Sequence, residues 1–136
     1  MGIEIKRIDD GYQLEAKGSG PGSVVLDKAV EGGGKGQGVR PMELMLMSIG
    51  ACSTFDVIAI LKKQRQDLKD IKVSVDGNRV DDVPSVFDKI HLTYFLTGDV
   101  DESKAQRAID LSVRKYCSAS AMLAKTADIT YSFEIE

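Results

Sequence analysis

The stretch Arg40–Arg65, RPMELMLMSIGACSTFDVIAILKKQR, decides the fold, because it reads as one long helix carrying a single thiol, Cys52, near its middle. Pro41 suits the first helical position, where its missing N–H is not needed. Glu43 stands in the first turn, where a carboxylate meets the positive end of the helix dipole. For about its first twenty residues the segment is apolar on almost every side, which a helix on the surface of a small domain would not be. It is therefore expected to be a buried central helix. At about 100° per residue, Ser48 and Asp56 lie one turn before and after Cys52 on the same side, among Met45, Ile49, Phe55 and Ala59. Asp56 disfavours a thiolate, so nothing local activates Cys52.

Working outward, the remaining chain is strand-rich. Ile3, Ile5 and Ile8 precede the turn cluster Asp9-Asp10-Gly11, and Tyr12, Leu14 and Ala16 alternate with polar residues as a hairpin partner does. Ser23–Lys28 reads as a third strand of an antiparallel meander. EGGGKGQG, Glu31–Gly38, has five glycines but no Lys-Ser/Thr pair after the last one, so it reads as a flexible loop rather than a phosphate loop. Beyond Leu61 the run KKQRQDLKD is expected to be the solvated end of the long helix. Ile71, Val73 and Val75 form a strand up to Asp76-Gly77-Asn78, and Phe87–Thr97 forms the next, with His91 on its polar face beside Lys89 and Thr93. Asp99–Lys115 gives a packing helix capped by Asp101 or Ser103. In YCSASAMLAKTA, Cys117 opens a short further helix whose N–H groups and dipole are expected to lower a thiol pKa. DITYSFEIE closes the chain as a strand. The order is βββ-α-ββ-αα-β, an α+β fold with antiparallel sheet packed on helices, in a single domain over 1–136.

Composition excludes several functions. A net charge of -3 gives no basic excess for phosphates or anionic lipid, so neither nucleic acid nor membrane is an expected partner. One histidine and two distant cysteines make no metal set, and no cofactor motif is present, so neither metal nor cofactor is expected. The opening MGIEIKRIDDGYQLEAKG has no apolar run after a basic start, so neither a signal peptide nor a membrane span is expected there. The expected location is the cytoplasm, where two cysteines are more often free or transiently oxidised than locked in a disulfide.

RPMELMLMSIGACSTFDVI together with KYCSASAMLAKTADITYSFEI resembles the OsmC/Ohr family, the osmotically inducible and organic-hydroperoxide-resistance proteins, over essentially the whole chain. The resemblance implies an OsmC-like intertwined homodimer with long helices at its centre. It also implies a thiol peroxidase for organic hydroperoxides, active in oxidative-stress defence, with a dithiol or lipoyl-type reductant. Cys52 would be the reacting thiolate and Cys117 the resolving thiol, which requires their Cα atoms within roughly 7 Å. The family's active-site carboxylate directly follows the helix-leading proline; here Met42 holds that place and Glu43 comes one residue later. Glu43 stands nine residues from Cys52, about 180° around a helix axis, so it points away from its own Cys52. Arg40 is the nearest arginine, available to pair with Glu43 or to neutralise a thiolate, including across a dimer interface. The alternative is a small-ligand-binding or redox-sensing dimer of the same fold, with structural cysteines.

Overall fold

The computed structural model describes residues 1–136. The chain divides into two compact units, Met1–Met45 and Leu46–Glu136.

In the first unit, β1 (Glu4–Arg7), β2 (Leu14–Lys17) and β3 (Ser23–Leu26) form the expected antiparallel meander in the order β1-β2-β3. The Asp9 carboxylate accepts from the N–H groups of Gly11 (2.9 Å) and Gln13 (3.0 Å), which closes the first turn. The glycine-rich stretch is tied down rather than loose. Asp27, 3 % exposed, accepts from the N–H groups of Lys28 (2.8 Å), Lys35 (3.3 Å) and Gln37 (3.1 Å). Gly34 is required there, since a Cβ would lie 2.1 Å from the Lys28 carbonyl oxygen.

The helix α1, Pro41–Lys63, begins in the first unit and continues through the second. The second unit adds β4 (Asp67–Arg79), β5 (Phe87–Asp99), α2 (Glu102–Leu111), a π turn (Ser112–Tyr116), α3 (Ser118–Leu123) and β6 (Asp128–Ile135). β5 buries Phe87, Ile90, Leu92, Tyr94 and Leu96, and the core is completed by Ile49, Val57 and Leu61 of α1 and Ala105, Ala108 and Ile109 of α2. Gly50 lets α1 come down onto β4, because a Cβ there would meet Val75 Cγ2 at 3.0 Å. Asp101 caps α2 by accepting from the Lys104 N–H at 3.1 Å.

The α+β architecture agrees with the sequence reading, and besides the glycine-rich loop four further local expectations change. β6 pairs with β5 in parallel, so the sheet β4-β5-β6 is mixed rather than wholly antiparallel. The helices between the two strands supply the long crossover that parallel pairing needs. α1 stops at Lys63 and β4 starts at Asp67, so the polar run is a helix end followed by a strand. Asp76-Gly77-Asn78 continues β4 instead of turning it. Finally, α1 is not buried all round: Ile49, Gly50, Ser53, Val57 and Leu61 are covered, whereas Met47, Phe55 and Ile58 are exposed, Phe55 by 71 %. By length and composition α1 is also apolar enough to cross a membrane, a test that the core helix of a soluble protein passes as well.

Candidate functional site

Two elements of the second unit bring its thiols together. Cys52 stands on α1, half-buried, and Cys117 stands between the π turn and α3, buried to 2 % exposure; both are free cysteines. The Cys52 and Cys117 side chains lie near enough for each thiol to feel the charge of the other. The spacing in sequence gives no hint of this meeting. It follows from the way the π turn ends, with the Cys117 N–H donating to the Ser112 carbonyl oxygen at 2.8 Å and Cys117 itself extended at φ -74, ψ 109.

Cys117 is the N-cap of α3, and its Sγ accepts from the Ser120 N–H at 3.3 Å. That contact favours a thiolate, as the sequence suggests, yet the thiol is pushed the other way, up to about 11. Burial is the largest cause, and the neighbouring Cys52 thiol adds to it. The expectation of a lowered pKa at this helix start is therefore corrected. Cys117 is held as a neutral thiol through the physiological range.

Beneath the pair lies a buried hydroxyl network that the sequence reading missed. The Tyr94 hydroxyl donates to Ser53 Oγ at 2.6 Å, and Ser53 Oγ donates to the Gly50 carbonyl at 3.2 Å. Ser112 Oγ donates to the Ser53 carbonyl at 2.9 Å and approaches Asp56 Oδ2 at 3.3 Å. Burial raises the Tyr94 phenol to about 12, with Cys117 and Asp56 among the groups that feel its charge. The available signal is a hydroxyl at a position where the apolar pattern calls for a core residue: Ser53 on α1, Tyr94 on β5 and Ser112 after α2. On the other side of Cys117 a hollow of about 290 Å³ is lined by Arg114, Ser120, Ala121 and Ala124 among others.

Arg40 and Glu43 lie in the first unit and hold each other. Glu43 Oε1 accepts from the Arg40 backbone N–H at 3.1 Å and from Arg40 Nη1 at 3.3 Å. Both side chains are about half exposed, at 55 % and 49 %. The arrangement caps the start of α1 and presents one positive and one negative group at its surface. His91 lies on the outer face of the sheet of the second unit, where its ring nitrogens contact Thr130 Oγ1 (2.6 Å) and Ser132 Oγ (3.0 Å).

Comparison with known proteins places this arrangement. The OsmC-like protein family is matched over residues 33–132. A stretch of 96 residues is 44 % identical to Protein YhfA of Escherichia coli (strain K12), covering 70 % of this chain and 72 % of YhfA. A hypothetical protein from Aquifex aeolicus VF5 has a solved structure with a TM-score of 0.82 and 34 % identity, covering 99 % of this chain and 96 % of its own. An organic hydroperoxide resistance protein OsmC from Legionella pneumophila superposes with a TM-score of 0.74 at 18 % identity, over 98 % of this chain and 97 % of its own. At that identity the likeness is one of fold.

Proposed function

The chain belongs to the OsmC-like protein family, and from that premise we propose that it is a thiol-dependent peroxidase of organic hydroperoxides, working as a cytoplasmic homodimer through Cys52 and Cys117. The observation that carries the reading is the nearness of two free thiols from distant parts of the chain. The relation in fold to a protein described as conferring organic hydroperoxide resistance supports the theme.

The scheme balances without a metal or cofactor. The Cys52 sulfur attacks the outer peroxide oxygen, the O–O bond breaks, and the products are a Cys52 sulfenic acid and an alcohol. The Cys117 sulfur then attacks the sulfenic sulfur. An S–S bond forms, and the sulfenic hydroxyl leaves as water with the Cys117 proton. A dithiol, of lipoyl type or similar, returns both thiols and becomes a disulfide itself. Cys117 gives up its proton as its sulfur attacks, and that proton leaves with the sulfenic hydroxyl as water. We assign the Arg40–Glu43 pair the electrostatic part of the reaction, which nothing beside Cys52 on α1 supplies.

A redox-sensing or ligand-binding role with structural cysteines is the second reading, favoured by the near-complete burial of Cys117. Steady-state consumption of an organic hydroperoxide with a dithiol reductant separates the two. The peroxidase reading predicts turnover that Cys52→Ser abolishes and that Cys117→Ser and Arg40→Ala reduce by about tenfold or more, the scale on which one charged or reacting group acts. Equal consumption by wild type and both cysteine variants would sink it.

A further inference from the structure

Ser112 touches both halves of the thiol site. It is fully buried where α2 gives way to the π turn. Its Oγ donates to the carbonyl of Ser53, the residue after Cys52, and approaches Asp56, one turn further along α1. Its own carbonyl oxygen accepts the N–H of Cys117, and that bond closes the π turn. A turn closed between residues five apart carries one more residue than an α-turn, so it displaces Cys117 by roughly 100° around the axis compared with a continued helix. One residue thus bonds to the Cys52 segment through its side chain and to Cys117 through its backbone. An alanine would fill nearly the same space, so packing alone does not call for the hydroxyl.

We propose that Ser112 is the positioning residue that sets the approach of the two thiols. It ties the Cys117 turn to α1 at the height of Cys52, so that Cys117 meets an oxidised Cys52 quickly. The inference rests on the peroxidase reading for its use in turnover, although the positioning itself is measurable without peroxide.

The test uses the full chain and two readouts. In the first, wild type, Ser112→Ala, Ser112→Thr and Ser85→Ala are equilibrated in graded dithiothreitol redox buffers, and the fraction carrying the Cys52–Cys117 disulfide gives the effective concentration of the pair. Ser112→Ala is expected to lower it about tenfold, the scale of one buried hydrogen bond, and Ser112→Thr to restore it to within about twofold. Ser85→Ala is the control: it removes a hydroxyl that also donates to a backbone carbonyl, that of Val80 at 2.7 Å, in the connection between β4 and β5 and not at α1 or the Cys117 turn. Its effective concentration is expected to stay within about twofold of wild type.

In the second readout, one equivalent of organic hydroperoxide is added in the presence of a sulfenic-acid trap. Ser112→Ala is expected to accumulate trapped Cys52 while consuming that equivalent at the wild-type rate. An unchanged effective concentration in Ser112→Ala, or an equal loss in Ser85→Ala, overturns the proposal. If Ser112→Ala does not fold, Asp56→Ala removes one of the two oxygens facing the hydroxyl; a fall of about threefold supports the proposal and no fall overturns it. If wild type is not oxidised by peroxide but the buffer series behaves as expected, the peroxidase reading fails and the positioning role stands.

Discussion

Cys117 shows how burial outweighs a helix terminus. α3 is only six residues long, so one N–H from Ser120 opposes the loss of water around the sulfur, and the thiol rises to about 11. Alkylation of Cys117 by a thiolate-selective reagent in the native reduced protein is expected to stay slow at pH 7 and to accelerate as pH approaches 11. Mass spectrometry of the labelled peptide across a pH series checks this, and rapid labelling at pH 7 would contradict it. Unfolded Cys117 ionises near its ordinary value of 9 and unfolded Tyr94 near 10, while the folded groups hold their protons to about 11 and 12. Above pH 9 the unfolded chain therefore binds fewer protons, and stability falls as pH rises through 9 to 12. Tyr94→Phe should soften the upper part of that fall, and at pH 7 it should cost about 1 kcal/mol for the lost bond to Ser53. The two cysteines were legible as candidates for chemistry, and the fold brings them near each other. The hydroxyls under them were not, because a lone serine in an apolar run has no partner visible in the sequence.

At the scale of elements, periodicity carried most of the fold. Apolar residues every three to four positions marked α2, alternation marked β2, β5 and β6, and Pro41 with Glu43 marked the start of α1. The end of α1 was hidden because Gln64–Asp70 is polar without either period. It closes with a reverse-turn cap in which the Gln66 N–H donates to the Leu61 carbonyl and the Arg65 N–H to that of Lys62. That cap places Arg65 at φ 59, a conformation in which glycine is the usual occupant. Arg65→Gly removes a backbone cost of about 1–2 kcal/mol and adds about 1 kcal/mol of unfolded-state freedom. The variant is expected to be equally stable or up to about 1 kcal/mol more so, measured by denaturant unfolding. The glycine-rich loop was misread for another reason: its order comes from a single carboxylate, Asp27, which directly follows β3. Asp27→Ala is expected to make residues 29–38 a site of rapid limited proteolysis, while wild type resists at the same protease dose.

For the whole molecule the decisive feature is α1, whose sequence calls for burial and whose chain covers only one side of it. Met47, Phe55 and Ile58 remain exposed in the second unit, as do Ile3, Ile5 and Ile8 in the first. A second copy of the chain is the partner proposed above, and large exposed apolar residues of this kind are what such an interface would cover. Phe55→Glu is expected to weaken the dimer about 30-fold or more, the effect of losing one central aromatic anchor, with analytical ultracentrifugation as the measurement. Sequence could indicate this only through the excess of apolar residues in the helix, since periodicity does not say whether a covering surface comes from the same chain.

The central claim is that Cys52 and Cys117 form one redox pair driven by organic hydroperoxide. It is tested most directly by adding one equivalent of hydroperoxide to the reduced protein, titrating thiols, and mapping the product by mass spectrometry. The expected result is loss of two thiols per chain, an intrachain Cys52–Cys117 disulfide, and full recovery of both thiols with a dithiol. Retention of both thiols, or over-oxidation of Cys52 with Cys117 untouched, would contradict it.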